Sequence, residues 1–158
     1  NVAQAGKAVM WSYLGLSIGD LASELISQYL KSRKKSVALF LTLSAIFCTL
    51  YLNLSSPTIT LFYFVCSLLG FAAGYWAVFV TISAEQFGTN IRATVATTVP
   101  NFVRGSVIPV TFSFQFLNQH MSVLQSAAIV GGVCLLIAFI SLYFMEETFH
   151  KDLHFTEK

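Results

Sequence analysis

Four polar or ionisable side chains interrupt long apolar stretches of this sequence, and their types suit them to chemistry. Arg104 and Asn101 lie within "TVPNFVRGSVIPVTF", and Asp20 and Glu24 lie one helical turn apart in an earlier apolar stretch. Charged residues inside a membrane-spanning helix pair with one another, face a hydrated cavity, or bind a substrate or ion. These four residues therefore form the candidate substrate or ion pathway.

Arg104 and Asp20 have matching depths if both apolar stretches are helical. A rise of about 1.5 Å per residue places Arg104 roughly 18 Å from Arg92. The same rise places Asp20 roughly 16 Å from Lys31, and both basic residues mark a membrane edge. Arg104 is then tolerated if Asp20, a residue outside this sequence, or an anionic substrate lies against it.

Asp20 and Glu24 are also close enough to influence each other. Two neighbouring, partly desolvated carboxylates favour keeping a proton on one of them. A carboxyl group that changes its protonation state is what proton coupling needs. The alternative is that these acids form structural ion pairs that fix helix packing.

The composition is that of an integral membrane protein. Of the 158 residues, 56% are hydrophobic and only 10% are charged, whereas about 25% of an average soluble domain is charged. The run "KSRKK" has the composition of a nucleic-acid-binding patch, but between two apolar stretches it is more typical of a cytoplasmic loop. We therefore expect a lipid bilayer, and no nucleic acid, as a partner. The cysteines are too widely spaced for a metal site or a disulfide framework, so neither a metal nor a cofactor is predicted.

Five apolar stretches are long enough for membrane-spanning helices of about 20 residues. The sequence therefore predicts an all-α membrane protein, with a transmembrane part over residues 1–145 and a cytoplasmic tail over residues 146–158. The five predicted spans cover residues 8–30, 37–54, 59–83, 93–117 and 123–145.

Basic residues predict the orientation of these spans, because cytoplasmic loops carry an excess of Lys and Arg. The opposite side holds only Lys7. The chain's N-terminus is then outside and its C-terminus is cytoplasmic. The basic residues on the cytoplasmic side are Lys31, Arg33, Lys34, Lys35, Arg92, Lys151 and Lys158.

Three segments resemble motifs of the major facilitator superfamily. "SAEQFGTNIRAT" resembles its E-x-F-P-T-x-x-R segment, with matches at Glu85, Phe87, Thr89 and Arg92 and with Gly88 in place of Pro. "EETFHKDL" resembles the P-E-T-x-G-x-x-L segment that follows helix twelve, with matches at Glu147, Thr148 and Leu153. "SRKK" resembles the G-R-[RK]-[RK] end of the loop between helices eight and nine; Tyr29 stands where the usual motif opens with Asp.

The order of the three segments, with two spans between each successive pair, implies helices eight to twelve of a twelve-helix fold. The closest resemblance is to the sugar-porter-like and metabolite–proton symporter branches. It implies a secondary active transporter that moves a small polar metabolite, an organic anion or a sugar, by alternating access coupled to protons. It also implies a bacterial cytoplasmic (cell inner) membrane and, as a partner, the missing N-terminal half of the same transporter.

The resemblance assigns a cytoplasmic gate to Glu85, Arg92 and Arg33; the alternative for Glu85 and Arg92 is a pair of solvated interfacial charges. H-E-x-x-H does not occur, and the one G-x-S-x-G match, Gly15-Leu16-Ser17-Ile18-Gly19, lies inside a predicted membrane-spanning stretch and not at a strand-to-helix turn, so no catalytic residue is assigned and no enzyme is predicted. A non-transporting membrane scaffold or sensor, and a membrane-embedded enzyme, remain the alternatives to a transporter.

Overall fold

The computed structural model describes residues 2–54 and 57–150, which form helices connected by short turns. These residues contain no strand, so the all-α prediction is confirmed for them. Residues 55–56 and 151–158, which include the Leu153 match and two of the predicted cytoplasmic lysines, lie outside the described residues. The helices are α1 (Val2–Leu30), α2 (Arg33–Leu52), α3 (Ile59–Ala73), α4 (Trp76–Glu85), α5 (Arg92–Gly105), α6 (Val107–Asn118) and α7 (Val123–Phe144).

All five predicted spans are helical, but two of them are broken. The third is divided into α3 and α4 at Gly74 and Tyr75, and the fourth into α5 and α6 at Ser106. Pro109 accounts for the second break, because its ring excludes the carbonyl group of Gly105 four residues earlier from a regular helix.

Three helical stretches of the described chain are long and apolar enough to cross a membrane, by length and composition. They are Arg33–Leu52, Ile59–Glu85 (α3 and α4 together) and Val123–Phe144. This indicates a membrane protein. Neither α1, which carries Lys7, Asp20 and Glu24, nor the α5–α6 pair is among them.

The described chain forms two compact units, of which the first comprises Asn1–Phe79 and Glu146–Phe149. In this unit α1 crosses α3 at backbone contact. A Cβ atom on Gly15 would lie 2.0 Å from the carbonyl oxygen of Ser67, and one on Gly70 would lie 2.0 Å from that of Ser12. Gly15 and Gly19 lie four residues apart in α1, and Gly70 and Gly74 lie four apart at the end of α3. Small residues at this spacing permit such an approach between membrane helices.

The second unit comprises, among the described residues, Val80–Met145 and His150. Within it α6 packs along α7. The side chain of Ser122 accepts a hydrogen bond from the backbone of Gln125, and the Gln125 side chain accepts one from Ser122, which caps α7. Large apolar side chains of this unit, such as Phe102 and Phe112, are exposed, as expected of surfaces in contact with lipid.

Candidate functional site

The N-terminus of α2 holds a carboxylate that comes from the other end of the chain. Glu147 Oε1 accepts a hydrogen bond of 2.9 Å from the backbone N–H of Arg33, and Oε2 accepts one of 3.4 Å from that of Lys34. The Ser32 hydroxyl donates to the same carboxylate, and it also accepts a 3.1 Å bond from the N–H of Lys35. The first-turn N–H groups of a helix have no partner within the helix. Ser32 and Glu147 together supply partners for three of them.

These hydrogen bonds keep Glu147 charged. Burial alone would raise the pKa of its carboxyl group, but the Ser32 hydroxyl and the backbone N–H groups of Arg33, Phe149 and Lys34 outweigh that effect, and the pKa lies below its usual range. The partial positive charge at a helix N-terminus acts in the same direction.

The Arg33 side chain ties α2 to α1. Its Nη1 donates to Glu24 Oε1 at 2.7 Å and to the Ser27 hydroxyl at 3.1 Å. The guanidinium carbon lies 5.3 Å from the centre of the Phe149 ring, within cation–π range. The Arg33 side chain is only 12% exposed, so solvent screens this ion pair less than a pair on an open surface. We call Glu24, Ser27, Ser32, Arg33 and Glu147 the end cluster.

The end cluster joins residues that the sequence assigned to different roles. Glu24 was predicted in the ion pathway with Asp20, and Arg33 was predicted in the cytoplasmic gate. The structure brings Glu24 and Arg33 together, which favours the structural ion pair as the role of Glu24.

Asp20 lies against the break in the third span. Its Oδ1 accepts a long hydrogen bond, 3.4 Å, from the backbone N–H of Ala77 in the first turn of α4. The backbone carbonyl of Asp20 accepts a 2.9 Å bond from the Ser23 hydroxyl, and the Ser23 carbonyl accepts a 2.8 Å bond from Ser36 on α2. Asp20 therefore contacts the first turn of α4, while Ser23, one turn further along α1, is bonded to α2.

Arg104 and Asn101 are brought together in the last two turns of α5. Arg104 Nη1 donates to Asn101 Oδ1 at 3.4 Å, and Asn101 Nδ2 donates to the backbone carbonyl of Thr97 at 3.1 Å. Both residues are exposed. Asp20 belongs to the first unit and Arg104 to the second, so their pairing stays a prediction.

Arg92 closes the C-terminus of α4. Its Nε donates to the carbonyl of Ala84 at 3.1 Å and its Nη2 donates to that of Phe87 at 3.2 Å. The last carbonyl groups of a helix have no partner within the helix and attract cations. Glu85 is the last residue of the same helix. The gating role of Glu85 and Arg92 stays a prediction.

Sequence reasoning missed the roles of Ser27, Ser32 and Phe149. Ser32 carried a signal, because a serine directly before a helical stretch is a common N-cap. Ser27 and Phe149 carried none, because their contacts depend on how distant segments pack. Within the described ranges, no three His, Cys, Asp or Glu residues are grouped as a metal site would require.

Comparison with known proteins gives no relative for this chain. No protein-family model matches it. No curated protein matches it, and no solved structure matches it. A functional assignment therefore depends on the geometry described above and on the three sequence segments.

Proposed function

We propose that this chain forms helices eight to twelve of a secondary active transporter of the major facilitator superfamily. The transporter moves a small polar metabolite, an organic anion or a sugar, by alternating access coupled to protons. The observation that carries the proposal is the hydrogen bonding of Glu147 to the first turn of α2.

This contact links two of the three segments that resemble family motifs. Arg33 lies in "SRKK" and Glu147 lies in "EETFHKDL", 114 positions away in the sequence, and the two residues are bonded directly. A chance resemblance of two separate segments gives no reason for them to meet. Their contact therefore supports the view that the two segments form one functional unit.

The same contact supports four membrane crossings between residues 33 and 147. Arg33 begins α2 and Glu147 follows α7, so a contact between them needs an even number of crossings from residue 33 to residue 147. The candidate spans α2, α3–α4 and α7 provide three, which would leave the two residues on opposite faces. A fourth crossing by α5–α6 brings them to one face, and α1 is the fifth span.

The end cluster then lies on the cytoplasmic face, since Lys31, Lys34 and Lys35 surround it in the sequence. It fastens the segment after α7 to α2, and α2 to α1. The charge of Glu147 at the helix N-terminus contributes less than about 1 kcal/mol because the residue is exposed, so this contact can be broken in each cycle. Glu85 and Arg92 act at the same face, at the α4 end.

Asp20 and Arg104 are the residues of the pathway proper. Asp20 binds the coupling proton. Arg104 offers a planar guanidinium group that can make two parallel hydrogen bonds to a carboxylate, and Asn101 holds it from the preceding turn. An anionic metabolite is the substrate that Arg104 and Asn101 suit best.

The test is uptake into proteoliposomes that contain the full-length protein. An imposed inward proton gradient should concentrate at least one labelled carboxylate or sugar from a chemical panel, and a protonophore should abolish the accumulation. Asp20→Asn should remove accumulation but keep exchange without a gradient, while Gly131→Ala, which alters an open position on α7, should leave both unchanged. A correctly inserted protein that accumulates no member of the panel would overturn the proposal.

A further inference from the structure

The break between α3 and α4 has no proline to cause it. Gly74 N–H bonds to the carbonyl of Phe71 at 3.0 Å and Tyr75 N–H to that of Ala73 at 2.9 Å, so α3 ends in tight turns. Helical bonding resumes with the 2.9 Å bond from Phe79 N–H to the carbonyl of Tyr75. Gly74, the C-cap of α3, weakens the helix at this point, because glycine is a poor helix former.

The neighbouring helix packs directly against this glycine. A Cβ atom on Gly74 would lie 2.4 Å from the carbonyl carbon of Gly19 and 2.6 Å from the backbone nitrogen of Asp20. The break thus faces Asp20 at backbone contact. The Asp20 carboxylate meets the N–H of Ala77, a group that would bond to the Ala73 carbonyl if α3 and α4 were one regular helix.

We propose that the protonation state of Asp20 controls whether this break is present, and we call this arrangement the lock. As a carboxylate, Asp20 stabilises the separate N-terminus of α4, because an anion is favourable at the positive end of a helix. When one Asp20 oxygen takes a proton from water, the group becomes neutral and this stabilisation is lost. The Ala77 N–H then returns to the Ala73 carbonyl, and α3 and α4 join into one continuous helix.

The lock gives the proton site a mechanical consequence. Its part in transport rests on the proposed function, since a break that opens and closes with each proton would change the shape of the third span once per cycle. The lock itself needs no substrate and no transport. It can therefore be tested apart from them.

Other ionisable groups near the break are accounted for. Glu24 is one turn along α1 and its Oε1 is bonded to Arg33, and Tyr75 adjoins the break with a phenol that is neutral at ordinary pH. Asp20 reaches the first turn of α4 through its bond to the Ala77 N–H. Within the described residues, the other ionisable side chains on α1 to α4 and at the break are Lys7, Tyr13, Glu24, Tyr29, Arg33, Lys34, Lys35, Cys48, Tyr51, Tyr63, Cys66, Tyr75 and Glu85.

The chain contains its own reporter for this change. It has two tryptophans, and Trp76 is the first residue of α4, with its ring 5.5 Å from that of Phe79. In a Trp11→Phe background, the fluorescence of the 158-residue chain in lipid nanodiscs reports on the break alone. The emission of Trp76 is recorded from about pH 2 to about pH 9, which covers the ordinary titration of carboxyl groups and histidine.

We expect one reversible transition in this background. Asp20→Asn, which mimics the protonated acid, should fix the emission at its low-pH form over the whole range. The matched control Glu24→Gln should keep the transition. At one neutral pH, hydrogen exchange should find the amides of residues 76–78 more protected in Asp20→Asn than in the parent chain.

Three results would overturn the lock: no transition in the parent chain, a transition that persists unchanged in Asp20→Asn, or equal amide protection in both chains. None of these measurements involves a substrate. A transition in a protein that fails to transport would overturn the proposed function and leave the lock intact. Proton-coupled transport without the transition would overturn the lock and leave the proposed function intact.

Discussion

Glu147 accepts hydrogen bonds from the N-terminus of α2, a role that a residue next to the helix usually fills, although it lies 114 positions away from Arg33. Helix N-termini attract carboxylates because several N–H groups there lack partners. The acceptor normally comes from the N-cap or the first turn, and α2 has no acidic residue in its first turn. The α2 N-terminus is therefore complete only when the segment after α7 is docked on it.

Glu147→Gln should loosen this docking. The amide keeps the shape of the side chain but loses the charge, which at a helix N-terminus stabilises by about 0.3–1 kcal/mol and by less here because solvent screens an exposed group. Hydrogen exchange at the amides of residues 33–35 should become faster. Glu146→Gln is the matched control, because Glu146 is exposed and should leave that exchange unchanged.

The same residue sets an expected dependence on pH. The pKa of Glu147 is lowered by docking, so its contribution is fully present above the ordinary glutamate pKa and is lost as the pH falls through the lowered value. Docking in the parent chain should therefore be insensitive to pH near neutrality and should weaken only in acid. Glu147→Gln should show no such acid-dependent step, and an equal step in both chains would assign it to another group.

Arg104 allows a second test at this scale. If it binds a carboxylate of the substrate, Arg104→Lys should weaken substrate binding by about tenfold or more, because lysine cannot reproduce the two parallel bonds of the guanidinium group. Insertion and yield should stay normal, since a cation remains. Equilibrium binding and detergent-solubilised yield are the two measurements. Normal binding in Arg104→Lys together with a low yield of Arg104→Ala would make this residue a structural partner instead.

The crossing of α1 and α3 is set by glycines whose missing side chains leave the two backbones in contact. Gly70→Ala should destabilise the protein by about 1–3 kcal/mol, as overpacking typically does, because its Cβ would meet the Ser12 carbonyl oxygen at 2.0 Å. Gly131→Ala is the control, since nothing lies within 4 Å of a Cβ there and alanine favours the helix. Reversible unfolding in detergent compares the two, and equal stability would contradict this crossing.

At the scale of elements, the sequence predicted where helices lie better than how they are divided. Apolar stretches and polar connections located all five helical stretches. The break near Ser106 was within reach, because Pro109 is visible in the sequence. The break at Gly74 was not predicted, because the sequence does not show that the backbone of Gly19 and Asp20 on another helix packs against it.

The end cluster was hidden for a similar reason. The turn from α1 to α2 passes through Lys31, whose φ of 48° is in the left-handed region, where glycine or asparagine is usual. A lysine at this position gave no sequence signal that the chain turns back here. Without this turn, Glu24 and Arg33 have no reason to be paired nine positions apart.

The contact between Glu147 and the N-terminus of α2 constrains the membrane topology of the chain. In a membrane, this contact can form only if the two segments lie on the same face. A chain with only the three candidate spans would separate them. The five-span topology keeps them together and makes α5–α6 a crossing helix pair with a break near its middle, beside Arg104. Two independent features, the charge bias of the loops and this contact, thus favour the same topology.

Single-cysteine labelling separates the two topologies directly. In a chain in which Cys48, Cys66 and Cys134 are replaced by serine, Lys31→Cys and Asn53→Cys are references, because both topologies put them on opposite faces. Gln119→Cys decides, since it follows α6. Five spans place it on the Asn53 face, whereas three spans place it on the Lys31 face. We expect a membrane-impermeant maleimide to label Gln119→Cys and Asn53→Cys from one side of the membrane and Lys31→Cys only from the other. Labelling of Gln119→Cys from the Lys31 side would mean that α5–α6 does not cross. The contact of Glu147 with α2 would then not form in the membrane.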